Sequence, residues 1–212
     1  MATLLFIESS PRDGKSASTA IARAFVDAWR EKHAGGTVDT LDVWDGTLPE
    51  FDGASLQAKY AALAGQDPTP EQKAAWSKIE AYAKRFHDAD VVVFAIPLWN
   101  YTIPYKLKQL IDVVSQNGLL FDFHDDGSVS GKLGGKKTVV AYARGSFYDA
   151  GSPTPSAEYD QAKPFMATWF RVIGLDDVAE IAVEKTLMMK PDDLASAIDA
   201  KRREARELAA RF

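Results

Sequence analysis

The sequence predicts an open α/β fold, a doubly wound sheet of five parallel strands with helices on both faces, and three observations carry that prediction. Apolar runs of strand length alternate along the chain with segments of helical period. The run 91–96 is apolar throughout, as a central parallel strand covered on both faces requires. The loops after the first, third and fourth runs hold hydroxyls, aromatics, an amide and an arginine rather than ordinary turn residues.

Residues 3–7 read as the first strand, and after a polar loop Ile21, Ala22, Phe25, Val26 and Trp29 recur at helical spacing over 19–29. Residues 37–43 alternate as a less buried second strand, followed by a Pro/Gly/Asp loop near 44–53. Helical segments are expected at 59–63 and 71–86, with Pro70 suited to a first turn. Pro97 ends the third strand, 91–96. Residues 104–115 return to the helical period through Leu107, Leu110, Ile111 and Val114, and Asn117-Gly118 makes a stop. Residues 119–123 with Asp125-Asp126-Gly127 suggest a small hairpin. A fourth strand at 137–143, a Gly/Ser/Pro-rich loop over 145–156, a helix over 159–173 capped by Gly174, a fifth strand at 178–183 and a helix from about Pro191 follow.

With 212 residues, 46% of them hydrophobic, and no composition shift, one domain over 1–212 is expected. The net charge of −5 comes from scattered charges, which argues against nucleic acid or an anionic membrane as partner. The absence of cysteine excludes disulfides, thiolate nucleophiles and thiolate-bound metal. The longest apolar run, 91–99, is too short to span a bilayer, and the first residues lack the pattern of a signal peptide, so a cytoplasmic protein is expected. No metal site is expected: His33, His87 and His124 lack ligand spacing, and Asp122, Asp125 and Asp126 lack the EF-hand spacing and its terminal Glu, reading instead as a polar turn.

If the five strands lie in the order 2-1-3-4-5, the order reverses between strands one and three, and a ligand belongs there, outside their C-terminal ends. The first converging loop, 9–18, puts Ser9, Ser10, Ser16 and Ser18 at a helix N-terminus, which suits a phosphate and equally suits an ordinary N-cap. Its Gly14-Lys15-Ser16 resembles the tail of a nucleotide P-loop. However, the first glycine of that motif is replaced by Ser9, Pro11 removes an N–H, and Asp90 precedes its strand instead of ending it, so monophosphate binding is favoured over nucleotide hydrolysis. The second loop, Pro97-Leu98-Trp99-Asn100-Tyr101, sets aromatics to pack a planar ring and an amide to address its polar edge. The third, Ala143-Arg144-Gly145-Ser146, supplies a cation and a glycine that permits close approach, although, taken alone, a turn with a surface arginine explains it better.

Taken together, these residues resemble the FMN-dependent NADH:quinone and azo-compound reductases, flavodoxin-like enzymes, over nearly the whole chain. The likeness rests on Ser-Pro-Arg with Ser16 and Ser18, on 97–101 leading into 104–108, on 118–123, and on Arg144-Gly145, in the family's order and spacing. The resemblance implies that Ser10, Ser16 and Ser18 with the Ala17 backbone hold the FMN phosphate. It implies ring contacts from Pro97, Leu98, Trp99, Asn100 and Tyr101 and from Ala143, Arg144, Gly145 and Ser146, and a homodimer. Ala17 replaces a frequent Gln, Leu-Trp-Asn-Tyr a frequent Met-Tyr-Asn-Phe, and Ala-Arg-Gly-Ser a frequent Ser-Arg-Gly-Gly, changes that bear on substrate shape more than on backbone contacts.

The expected activity is two-electron transfer from NADH or NADPH through FMN to quinones and azo compounds by a ping-pong mechanism, because one open ring face must serve both substrates. Asn100 is the expected catalytic residue at the ring's polar edge, and Phe121 and Phe123 are expected to wall the acceptor site. The competing readings are a flavodoxin-like electron carrier, disfavoured by the near-balanced charge, an NAD(P)H-dependent FMN reductase, and a flavin-free α/β module.

Overall fold

In the computed structural model, which describes residues 1–12 and 14–212 and only the backbone of Ala62 and Leu63, the strand-and-helix alternation is realised in full. Asp13 of the first loop lies outside the described residues. The elements run β1 (Thr3–Glu8), α1 (Ala17–Lys32), β2 (Thr37–Asp42), α2 (Gly53–Leu63), α3 (Pro70–Asp88), β3 (Val91–Pro97) and α4 (Tyr105–Val114). They continue with β4 (Phe121–Phe123), β5 (Val129–Gly131), β6 (Lys137–Ala143), α5 (Ser156–Tyr159), α6 (Ala162–Ile173), β7 (Asp177–Val183) and α7 (Pro191–Ala209).

The main sheet is ordered β2-β1-β3-β6-β7 with every pair parallel. Since β4 and β5 form a separate antiparallel hairpin, this is the predicted 2-1-3-4-5 order, and the reversal falls between β1 and β3. Alternation along β1 sorts the core. Leu5 and Ile7 join Phe94, Ile96, Val140 and Tyr142 on the face covered by α3, α4 and α6. Leu4 and Phe6 join Val93, Ala95 and Ala141 on the face covered by α1 and α7. Every β3 residue from Val91 to Ile96 is buried, which explains why its sequence does not alternate.

Local signals set the helix ends. Thr69 and Gln72 form a reciprocal capping box at α3 with Pro70 in its first turn, and Gly174 ends α6 in the left-handed conformation at φ 86°. The α2 helix begins at Gly53, ahead of the apolar stretch that suggested 59–63, because Asp52 Oδ1 accepts from the Ala54 and Ser55 amides and starts the helix earlier.

The hairpin β4–β5 lies at the end of the sheet opposite the converging loops. It leaves the C-terminus of α4 and leads into the start of β6, and Gly131 packs on the α6 C-terminus so closely that a Cβ there would stand 2.1 Å from Gly174 N. No helix among the described residues is long and apolar enough to cross a membrane.

Candidate functional site

The strand C-termini are laced together before the loops diverge. The Ser9 amide and hydroxyl both donate to the Ala95 carbonyl, so this buried serine ties β1 to β3 and is not available to a ligand. Leu98 N donates to Ala143 O at 2.9 Å and Arg144 N to Val183 O at 2.9 Å, which carries the lacing across β3, β6 and β7. Between these loops and α7 lies a cavity of about 280 Å³.

One end of the cavity is polar. Ser16 is the N-cap of α1, its hydroxyl accepting from Thr19 N at 3.3 Å and lying 3.1 Å from the Ser18 hydroxyl. The amides of Ala17 and Ser18, in the first turn of α1, have no partner among the described residues, as helix geometry requires of a first turn. Ser10, Arg12, Lys15, Ser16 and Ala17 line this end, while Ser18 is buried just behind it. Arg12 and Lys15 are the only titratable side chains among the described lining residues. With two cations and no carboxylate among its described lining residues, the site favours an anion.

The other end is apolar, walled by Pro97, Leu98 and Trp99 on one side and by Ala143, Gly145, Thr186 and Leu187 on the other, with Leu194 and Ile198 of α7 below. Trp99 and Thr102 exchange both backbone hydrogen bonds, at 2.8 and 3.0 Å, around Asn100 at φ 46° and Tyr101 at φ 70°. Two consecutive positive φ values in a two-residue hairpin make a type I′ turn. Asn tolerates that conformation, whereas Tyr101 is strained in it and is held by Gln161 N donating to its carbonyl at 2.8 Å and by the Tyr159 ring at 5.5 Å.

A larger cavity of about 560 Å³ lies between Phe51, Ile103, Tyr105 and Phe165. It touches none of the three converging loops except at Thr102 and Ile103, and its cation Lys108 stands among the carboxylates of Glu50 and Asp112, whereas the smaller cavity has cations and no carboxylate among its described lining residues.

Residues 2–209 match the family described as having the flavodoxin-like fold. Over 97% of its length the chain is 48% identical to 99% of an FMN-dependent NADH:quinone oxidoreductase from Burkholderia lata. The chain belongs to this flavodoxin-like oxidoreductase family. A second relative, an FMN-dependent NADH:quinone oxidoreductase from Pseudomonas fluorescens, is 42% identical over 100% of this chain and 99% of its own. An azoreductase structure from Bacillus anthracis matches with a TM-score of 0.87 at 30% identity, covering 100% of both chains.

Of the family residues anticipated from sequence, Ser10, Ser16, Ala17, Pro97, Leu98, Trp99, Ala143 and Gly145 meet at the cavity. Asn100 and Tyr101 stand exposed at the tip of the turn beyond its wall. Ser146 turns its hydroxyl to Thr154 at 3.1 Å. Arg144 points inward and is buried, bonded to Asp160 at 2.7 Å and Glu184 at 2.8 Å. Phe121 and Phe123 sit on the hairpin at the opposite end of the sheet, so within one chain they do not wall this cavity. Burial raises the pKa of the Tyr148 phenol, which lies over Arg144, and of the Tyr142 phenol, so both stay neutral at ordinary pH.

Sequence reading overlooked several residues of this cavity and its wall. Trp44, after β2, donates from its indole N–H to Ser9 O at 3.1 Å and packs on Trp99 at 5.7 Å and on Tyr105 at 5.1 Å, backing the aromatic wall. A tryptophan directly after an edge strand was its only sequence signal. Thr186 and Leu187 follow β7 and carry no motif, and Leu194 and Ile198 look like any inner helix face.

Proposed function

We propose that this protein binds FMN in the cavity between α1 and the loops after β3, β6 and β7, and uses NADH to reduce quinones and azo compounds. The observation that carries this reading is the two-ended cavity, with unpaired amides, serine hydroxyls and two cations at one end and an aromatic, apolar wall at the other. That donor set fits a dianionic phosphate attached to a planar ring system. The names of the Burkholderia and Pseudomonas relatives and of the Bacillus structure agree with FMN, NADH, quinones and azo compounds in these roles.

In this reading Ser10, Ser16, Ser18 and the Ala17 amide hold the phosphate. Pro97, Leu98 and Trp99, backed by Trp44, pack the ring, and Ala143 and Gly145 approach it with backbone. Asn100, carried on the I′ turn, addresses the ring's polar edge. Bound FMN supplies two-electron hydride chemistry, so the chain needs no acid–base dyad of its own. The 97–99 wall leaves one side of the cleft for both substrates, so the nicotinamide must leave before the acceptor enters, a ping-pong order. The protein acts as a homodimer, in which Phe121 and Phe123, the latter 61% exposed, wall the acceptor site of the second copy.

Protein purified in FMN-containing buffer and freed of excess flavin should be yellow, and NADH should bleach it anaerobically until a quinone restores the colour. A colourless protein would refute the reading. Bleaching without reoxidation by quinone would refute the acceptor assignment alone.

A further inference from the structure

Arg144 follows directly on β6 inside a loop that touches the cavity, yet its guanidinium faces the protein interior and its side chain is 8% exposed. Nη1 donates to Asp160 Oδ2 at 2.7 Å, and Nη2 pairs with Glu184 Oε1 at 2.8 Å. Asp160 is 2% exposed, and its second oxygen accepts from the Ala162 and Lys163 amides at 2.9 and 3.1 Å, capping α6. The second oxygen of Glu184 accepts from Tyr148 N at 3.2 Å, and the Tyr148 ring lies 4.9 Å from the guanidinium. One arginine thus joins the loops after β6 and β7 to the start of α6.

A buried ion cluster adds little net stability, because desolvation offsets the attraction, but its directional bonds impose geometry. That geometry passes to the cavity wall. The carbonyls of Arg144, Gly145 and Ser146 accept in turn from the Thr186, Leu187 and Lys185 amides at 3.1, 3.1 and 2.8 Å. Lys185 is held at φ 60°, a left-handed conformation that a lysine does not adopt unforced. Leu187, though 85% exposed, lies across Gly145, where a Cβ would be 2.7 Å from its Cδ1. Gly145 and Leu187 both line the cavity.

We infer that Arg144, clamped by Asp160 and Glu184, is a positioning residue that sets Gly145 and Leu187 at the ring end of the cavity. It is not itself a flavin ligand. The inference rests on the FMN reading above.

The test measures FMN and riboflavin affinities by quenching of flavin fluorescence, and the visible circular dichroism of bound FMN, in Arg144→Gln, Arg144→Lys and Glu184→Gln. Arg144→Gln should weaken both flavins by the same factor, roughly tenfold or more as a displaced contact surface does, and should alter the dichroism. Lysine should rescue little, since it keeps the charge and loses the fork. Glu184→Gln should repeat the pattern at smaller amplitude. A phosphate-end role would spare riboflavin, and a direct ligand role would leave Glu184→Gln like the wild type; either result overturns the inference. If Arg144→Gln fails to fold, Glu184→Gln decides by the same criteria. If the wild-type protein binds no flavin, the FMN reading fails, and amide exchange in Arg144→Gln then tests the clamp: faster exchange at Lys185, Thr186 and Leu187, whose amides donate to the loop after β6, supports it, and unchanged exchange overturns it.

Discussion

Replacing Asn100 by alanine and, separately, by glycine divides the two jobs this residue has, because its backbone sits at φ 46° on the I′ turn. Alanine removes the side-chain amide and also places a Cβ-bearing residue without Asn's local tolerance in the left-handed region, at about 1 kcal/mol. For a chain of this size that lowers the melting temperature by roughly 2–4 °C. Glycine removes the same amide but adopts positive φ freely, its looser unfolded state offsetting part of the gain, so Asn100→Gly should melt within about 1–2 °C of the wild type. If the amide bonds the ring's polar edge, both variants lose about 1 kcal/mol of FMN affinity, roughly fivefold in Kd. Both should also slow NADH-driven flavin reduction. The assays are thermal melts of the apo-protein, fluorescence titration with FMN, and anaerobic stopped flow. Equal melting temperatures in the two variants would refute the backbone argument. Wild-type flavin affinity and reduction rate in Asn100→Gly would refute the role of the side chain.

At the phosphate end, Ser16→Ala with Ser18→Ala should lose about 1–3 kcal/mol of FMN binding and leave riboflavin affinity nearly unchanged, as titration of both ligands will show. Trp99→Tyr should change the ranking of quinone over azo acceptors more than the rate of reduction by NADH, and equal effects on the two half-reactions would count against a wall role. Initial rates with NADH varied at several fixed quinone concentrations should give parallel double-reciprocal lines, whereas intersecting lines would show both substrates bound together. Gly131→Ala should destabilise the protein by about 2 kcal/mol or more in denaturant titration, since its Cβ would meet α6 backbone, while Gly134→Ala, with open space around it, serves as control.

The architecture was legible in the sequence because period and punctuation are local. The unbroken apolar run of β3 announced its central place, and the alternation of strands and helices, with the handedness of crossovers, leaves few arrangements of a five-stranded parallel sheet. That order in turn predicted where the loops after β1, β3 and β6 converge, so Ser10, Ser16, Trp99 and Gly145 could be brought together before any coordinates. Side-chain direction at a loop was not legible. Arg144 looked like a cation offered to a ligand, and only its partners sixteen and forty residues along the chain, Asp160 and Glu184, turn it inward. The hairpin carrying Phe121 and Phe123 was expected, but its place at the far end of the sheet depends on the length of α4 and on Gly131 meeting Gly174, contacts that no local pattern encodes. Trp44, Leu187 and Ile198 were missed for the same reason: each carries an ordinary local signal, and tertiary packing alone brings them to the cavity and its aromatic wall.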